Sequence, residues 1–349
     1  MSRRSTPQLL ALVLVALGLA VAVLLPVPYV VLSPGPVIDV LGAPGGKPLI
    51  SITGATTFPT TGQLDLTTVS ESGGPYGRVP LPRVLGGWLD PSVAVVPTDL
   101  LYPPGTTSQQ VDQQNTEEMM QSQDSAVVAA LRHVGVPVTL QVTVAAIQSG
   151  SPADGHLKVG DRVTAVDGTP VDTGDKIRTA VRKHKPGQPV DLSVVRAGAA
   201  LRLTLVSSAS PDEPGVAMVG FTPRDGYTSP VTVHIKLDNI GGPSAGLMFS
   251  LGIVDKLTAV QENGGAHVAG TGTIDANGTV GDIGGIRQKM AGARADGATI
   301  FLVPAGNCAE ALMGVPAGLQ LVKVSTLDDA VTGLAAAEAG RSAPTCTSS

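Results

Sequence analysis

Two residues in this chain could do chemistry by their type and surroundings. Ser244 stands in the stretch Ile240-Gly241-Gly242-Pro243-Ser244-Ala245-Gly246. Proline has a preset φ and no N–H, so Pro243 suits a helix start. Leu247, Met248, Leu251 and Val254 then recur at helical spacing and predict a mostly buried helix over residues 245–257. A serine held where backbone N–H groups and the positive end of a helix dipole converge suits an oxyanion forming on a carbonyl. The same Gly-Pro-Ser is also an ordinary capping sequence. Lys289 is the second residue. It falls on a predicted helix after Gly284-Gly285, beside a stripe of Ile286, Met290 and Ala293. A lysine so placed either snorkels to water or is desolvated, and desolvation lowers its pKa towards that of a usable base.

The elements that must position these two residues can be read around them. Val231, Val233, Ile235 and Leu237 alternate, predicting a strand that delivers the chain to Ser244. Residues 270–275 predict a strand entering the turn Asn277-Gly278, and residues 280–283 the return strand.

The stretch Gly242-Pro243-Ser244-Ala245-Gly246 and the stretch from Gly278 to Lys289, Gly-Thr-Val-Gly-Asp-Ile-Gly-Gly-Ile-Arg-Gln-Lys, together resemble the proteolytic domain of Lon-type peptidases. The resemblance covers residues 231–324, with serine and lysine 45 positions apart. It implies a Ser244 nucleophile and a Lys289 general base, with no histidine in the reaction. A neutral amine takes the hydroxyl proton and later delivers it to the leaving amine. By the same resemblance Thr271, 18 residues before the lysine, helps to orient it, and Gly242 and Pro243 support the geometry. ATP-dependent members have an acidic residue just before Gly-Pro-Ser. Here that place is Gly241, with Asp238 the nearest carboxylate. A Gly-x-x-x-x-Gly-Lys-[Ser/Thr] phosphate loop does not occur in the sequence, so ATP is not expected as a ligand. Neither a cofactor nor a metal is expected. A homo-oligomer, in the form of a ring, is what the resemblance implies for assembly. A Ser-His-Asp arrangement would instead need His267 or His234 beside Ser244; each is expected to project from its strand as a satisfied or solvent-facing residue.

Composition narrows the function classes. A net charge of −5 argues against a nucleic-acid partner, and aromatics at 3% argue against a base-stacking platform. Gly 43 and Pro 28 fit strands and short helices rather than a helical bundle. Cys308 and Cys346 show no metal-ligand spacing; outside the cytosol they could pair, which sequence alone leaves open.

At the amino terminus Arg3 and Arg4 precede an uncharged run over residues 9–32, long enough to span a membrane. The arginines would keep the start cytoplasmic and send the bulk across the cell membrane. The competing reading is a cleaved signal peptide with Ala20-Val21-Ala22 as its small-residue site. Ser33-Pro34-Gly35-Pro36 predicts a turn, residues 48–53 and 63–69 predict strands, and Gly86 to Pro91 and Leu101 to Gly105 read as apolar loops. Those loops are either packed connections or a surface that meets the membrane or a neighbouring subunit. Residues 107–115 read as a polar mobile segment, and residues 117–134 as a helix.

Further on, Gly150-Ser151-Pro152-Ala153, Val159-Gly160-Asp161-Arg162-Val163 and Val166-Asp167-Gly168 resemble a PDZ domain. That resemblance implies capture of an extended peptide by strand addition, with Val138, Leu140 and Val142 on the expected edge strand; a spacer that merely positions its neighbour is the other reading. The expected fold is α+β, in which a transmembrane helix precedes a PDZ-like β-rich domain and a Lon-type α/β proteolytic domain. The boundaries are a cytoplasmic start over 1–8, an anchor over 9–32, an extracytoplasmic region over 33–121, the PDZ-like domain over 122–208, the proteolytic domain over 209–341 and a tail over 342–349. The expected activity is ATP-independent serine endopeptidase action on unfolded or flexible protein segments. The alternative is a non-catalytic scaffold that keeps the protease fold for assembly.

Overall fold

The computed structural model describes residues 10–18, 26–237, 240–259 and 265–347; Asp238 and Asn239, beside the nucleophile stretch, lie outside the described residues. The chain divides into two compact units. One comprises residues 1–135 and 231–349, and the other, residues 136–230, is inserted into it. This division differs from the sequence boundaries, because residues 26–135 build part of the same unit as the predicted proteolytic domain.

In the first half of the chain, α1 is helical over residues 10–18 and exposed. None of the helices among the described residues is long and apolar enough to cross a membrane. The run over 9–32 lies outside the described residues at 19–25, and its far end is strand: β1 (Pro26–Val27) and the start of β2 (Tyr29–Asp39). Pro26 and Pro28 disfavour a continuing helix, and Val30 and Val31 are instead buried in a sheet. The Ser33-to-Pro36 stretch is not a turn but a bulge within β2, where prolines lacking an N–H are tolerated. Strands β3 (Ile50–Thr53), β4 (Gln63–Gly73) and β5 (Val79–Pro80) follow. The first apolar loop is in fact α2 (Leu81–Leu89), leading to β6 (Ala94–Pro97) and the single turn α3 (Thr98–Leu101). Gly87 lets α2 lie close on β6, since a Cβ there would come 2.7 Å from Val95. The polar stretch 107–115 is not a separate segment. It opens the 26-residue helix α4 (Ser108–His133), whose Thr107 and Gln110 form a reciprocal capping box.

The inserted unit holds a sheet of β7 (Thr139–Ile147), β8 (Arg162–Val166), β9 (Thr169–Pro170), β10 (Pro189–Arg196), β11 (Ala199–Val206) and β14 (Phe221–Thr228), in the order β11-β10-β8-β7-β14 with β9 against β8. The helix α5 (Gly174–Val181) and the small pair β12 (Ser208–Ala209) and β13 (Ala217–Met218) complete it. Its core gathers Val142, Val144, Val163, Ile177, Leu192 and Leu205. The expected edge strand is therefore corrected. β7 lies between β8 and β14, with Val142 fully buried, and the edges are β14 and, at the far side, β11.

The chain then returns through β15 (Thr232–Ile235), which pairs with β3, into α6 (Gly246–Leu257). Next come β16 (His267–Gly270), the hairpin of β17 (Thr273–Ile274) and β18 (Val280–Gly281), and α7 (Ile286–Asp296). Strand β19 (Ile300–Pro304), the short α8 (Cys308–Ala311), β20 (Gln320–Val324) and α9 (Leu327–Glu338) close the unit. Its main sheet runs β20-β19-β16-β4-β2-β6. Strands β20, β19, β16 and β4 are mutually parallel, so the two halves of the chain meet where β4 pairs with β16. Cys308 and Cys346 form a disulfide that ties the tail to α8.

Candidate active site

Helix α6 is buried nearly all round, with Leu247, Met248, Phe249, Leu251 and Ile253 at zero exposure. Its amino end is thereby fixed, and Ser244 sits two residues before it, half-buried. Besides that of the Thr271 hydroxyl, hydrogen bonds from three directions hold the loop that presents the serine. The Gly242 N–H donates to the Asn115 carbonyl (2.9 Å), Ser122 Oγ donates to the Pro243 carbonyl (2.8 Å), and the Gly272 N–H donates to the Ser244 carbonyl (2.9 Å). Gly242 has φ +85°, which a glycine adopts without strain. Gly241 must also be small, since a Cβ there would approach Asn115 Cβ to 2.6 Å.

Lys289 comes from the first turns of α7, whose N-cap Gly285 is in the left-handed region. Its side chain is buried, 4% exposed, and Nζ lies 2.9 Å from Ser244 Oγ and 3.1 Å from Thr271 Oγ1. The sequence left open whether this lysine snorkels or is desolvated. It is desolvated, and burial brings its pKa down to about 8 from an ordinary 10.5. Thr271 is fully buried, and its hydroxyl donates to the Ser244 carbonyl at 3.1 Å. With its one proton committed there, Thr271 Oγ1 can only accept from Nζ. That hydrogen bond turns the remaining valences of Nζ towards Ser244. Ser244, Lys289, Thr271, Gly242 and Pro243 are thus brought together as one site.

The histidines are elsewhere. His267 Nε2 lies 2.5 Å from Asp65 Oδ2, with Asp296 Oδ2 3.9 Å away, while His234 is exposed on β15. Burial pushes the Asp65 carboxyl up, and the hydrogen bond to His267 partly offsets this.

Sequence reading missed Ser122 and Asn115 of α4. A signal for Ser122 existed, since it falls between Met119 and Ala126 at helical spacing on a buried stripe, where an alanine or leucine would be routine. The inserted unit has its cleft away from the expected peptide-binding positions. A cleft of about 290 Å³ lies between α5 and residues 216–223, lined by Ile177, Arg178, Val181, Met218, Val219 and Phe221. Val138, Leu140 and Val142 do not line it. Gly220, at φ +81°, turns the chain at its end, and a Cβ there would clash with Ser151.

Comparison with known proteins bears on both units. Residues 225–336 match the Lon protease (S16) C-terminal proteolytic domain, and residues 112–206 match a PDZ domain. The chain holds a PDZ domain and a Lon-type proteolytic domain. Among curated relatives, the Lon protease of Neorickettsia sennetsu is 31% identical over 32% of this chain and 14% of that protein. The Lon protease of Azospirillum brasilense is 38% identical over 25% of this chain and 11% of that one. The chain therefore spans only a small part of the length of these relatives. Among solved structures, the PDZ domain of an SdrC-like protein from Listeria monocytogenes is 20% identical, covering 24% of this chain and 85% of that one at a TM-score of 0.22. The Lon-type match begins at residue 225 and so omits β2, β4 and α4, which complete the sheet and hold the serine loop.

Proposed function

We propose that the chain is a serine endopeptidase that cuts flexible or unfolded protein segments with Ser244 as nucleophile and Lys289 as general base. The observation that carries this reading is the 2.9 Å approach of Ser244 Oγ to a buried lysine amine whose pKa is brought down to about 8. In its neutral form Nζ accepts the Ser244 proton as Oγ attacks the scissile carbonyl. The oxyanion forms beside the amino end of α6, where backbone N–H groups favour negative charge. The ammonium then protonates the leaving amine and leaves an acyl-enzyme on Ser244. Water, deprotonated by the same amine, releases the second product.

Several features extend the reading. Absence of a phosphate-loop motif from the sequence supports action without ATP. The uncharged run after Arg3 and Arg4 supports a membrane anchor over residues 9–25, and the Cys308–Cys346 disulfide supports an extracytoplasmic setting for the catalytic unit. In the PDZ domain, the open edge of β14 beside α5 supports recruitment of an extended peptide by strand addition. Assembly into a homo-oligomer belongs to the same proposal, and light scattering checks it.

The test is cleavage of an unfolded protein by the parent and by Ser244→Ala at matched oligomeric state. Cleavage by the parent alone supports the reading. No cleavage by either, even with peptides added to fill the PDZ groove, overturns it in favour of a scaffold.

A further inference from the structure

The point where the apolar amino-terminal run enters the fold is surrounded by exposed apolar side chains. Trp88 is 58% exposed, Leu89 87% and Leu100 74%, with Leu85 and Leu101 also on the surface. These residues belong to α2 and α3, whose positions are fixed from beneath. Val84 of α2 is fully buried and packs with Val31 and Val79. Both helices are anchored on residues 26–29, at the far end of the run. Strand β1 pairs with β5, and α2 follows β5 without an intervening residue. The Trp88 ring stacks edge-on against Tyr29 with centroids 6.0 Å apart. Thr98 at the start of α3 donates its N–H to the Pro28 carbonyl at 3.0 Å.

We infer that α2 and α3 form a membrane seat, in which Leu85, Trp88, Leu89, Leu100 and Leu101 enter the lipid interface next to the anchor. This inference rests on the membrane-anchored reading above. A lipid surface is favoured over a second copy because α2 and α3 hold residues 26–29, the far end of the uncharged run, through the β1–β5 pairing, Trp88 on Tyr29 and Thr98 on Pro28. Leu85, Trp88 and Leu89 share one face of α2 at i, i+3, i+4 spacing, and a tryptophan with leucines is the composition that lies at a headgroup boundary. The exposed side chains that would enter the lipid are apolar, so the contact needs no anionic lipid. The seat would hold the catalytic unit against the bilayer rather than on a free tether.

Trp88 is the sole tryptophan of the chain, so its emission reads the patch directly. The experiment uses the full chain reconstituted in phosphatidylcholine vesicles, with flotation as one readout and quenching of Trp88 by lipids brominated near the headgroup as the other. A second probe is Leu89→Cys carrying an environment-sensitive dye, the two native cysteines being joined to each other. The expected result is flotation, loss of Trp88 emission, a shift to shorter wavelength and a nonpolar signal from the dye. The double substitution Leu85→Asn and Leu89→Asn should keep flotation and cleavage of soluble substrate but abolish the quenching. Flotation with Trp88 unquenched and the dye in water overturns the seat and leaves the anchor standing. Failure to float overturns the anchored reading, and the seat with it.

Discussion

The two units each bury a charged side chain, and they treat it in opposite ways. In the PDZ domain Asp161 is 1% exposed and meets Arg196 through two hydrogen bonds of 2.7 and 2.6 Å. The Arg196 hydrogen bonds hold its carboxyl below the ordinary carboxylate range, and the Lys158 N–H adds a further bond. In the Lon-type domain Lys289 is equally buried, yet its polar contacts are the Ser244 and Thr271 hydroxyls, and no ion pair to it occurs among the described residues. A buried charge given a partner holds a fold together; one left with neutral donors and acceptors is poised to lose its proton. On the proposed reading, the difference separates the unit that carries chemistry from the one that binds.

The largest effect expected from breaking this contrast is on activity. Ser244→Ala and Lys289→Met should each lower kcat by at least about a thousandfold, read as cleavage of an unfolded protein. Lys289→Met should at the same time raise the melting temperature. Lowering a lysine pKa from 10.5 to about 8 reflects a cost of about 3 kcal/mol for the buried charge, which an apolar side chain of similar length removes. Lys289→Ala would leave a cavity instead, because the lysine is buried and not on a solvated face. A Lys289→Met protein less stable than the parent would show that the amine is compensated by a group this account omits.

pH sharpens the contrast through its two windows. Activity of the parent should rise as pH passes through about 8, where Lys289 loses its proton. The folded pKa of Lys289 lies below the unfolded 10.5, so the unfolded chain holds more protons between about 8 and 10.5 and stability rises with pH across that range. Asp161 also has a folded pKa below its ordinary value, 3.8. Its contribution is present above that value and is lost as pH falls through the lower folded one. Lys289→Met should flatten only the alkaline window, as denaturation followed from pH 7 to 10.5 would show.

Thr271→Val keeps the shape but removes the acceptor that orients Nζ. It should lower kcat by roughly 10- to 100-fold while the fold persists. Arg196→Met should do the reverse. It strands the Asp161 carboxylate, so amide exchange in β7, β8 and β10 should quicken while hydrolysis of a short ester stays unchanged.

What could be read from sequence follows the reach of each signal. Local pattern places Ser244 at a helix start and Lys289 on a helix, with the Asn277-Gly278 turn pinning β17 to β18. Their pairing and Thr271 come only from the resemblance to Lon-type proteolytic domains, because no local pattern joins a loop, a strand end and a helix. Residues 26–135 were not legible as part of the same unit. Parallel pairing of β4 with β16 joins positions about 200 apart, such as Asp65 and His267, and leaves no periodic trace. Gly86 and Gly87 hid α2, since glycine weakens a helix by propensity while permitting its contact with β6. The PDZ edge was misjudged because alternation marks a strand without saying which neighbour it lacks. The cysteine pair stayed open because spacing does not fix connectivity.

The smallest expected effect tests how the PDZ domain serves the active site. Met218→Glu places a carboxylate in the groove beside α5, where an apolar peptide side chain would sit. If the groove only recruits, KM for an unfolded protein should rise by roughly 5-fold, equivalent to about 1 kcal/mol, with kcat and short-ester hydrolysis unchanged. The connectivity permits another outcome. The insert leaves the catalytic unit after α4, whose Ser122 holds the Pro243 carbonyl, and re-enters through β15, the strand leading to the Ser244 loop. A change in kcat rather than KM would mean that peptide binding reaches the nucleophile through these two connections. The PDZ domain would then be a gate, and the division between a unit that only binds and a unit that only cuts would fail.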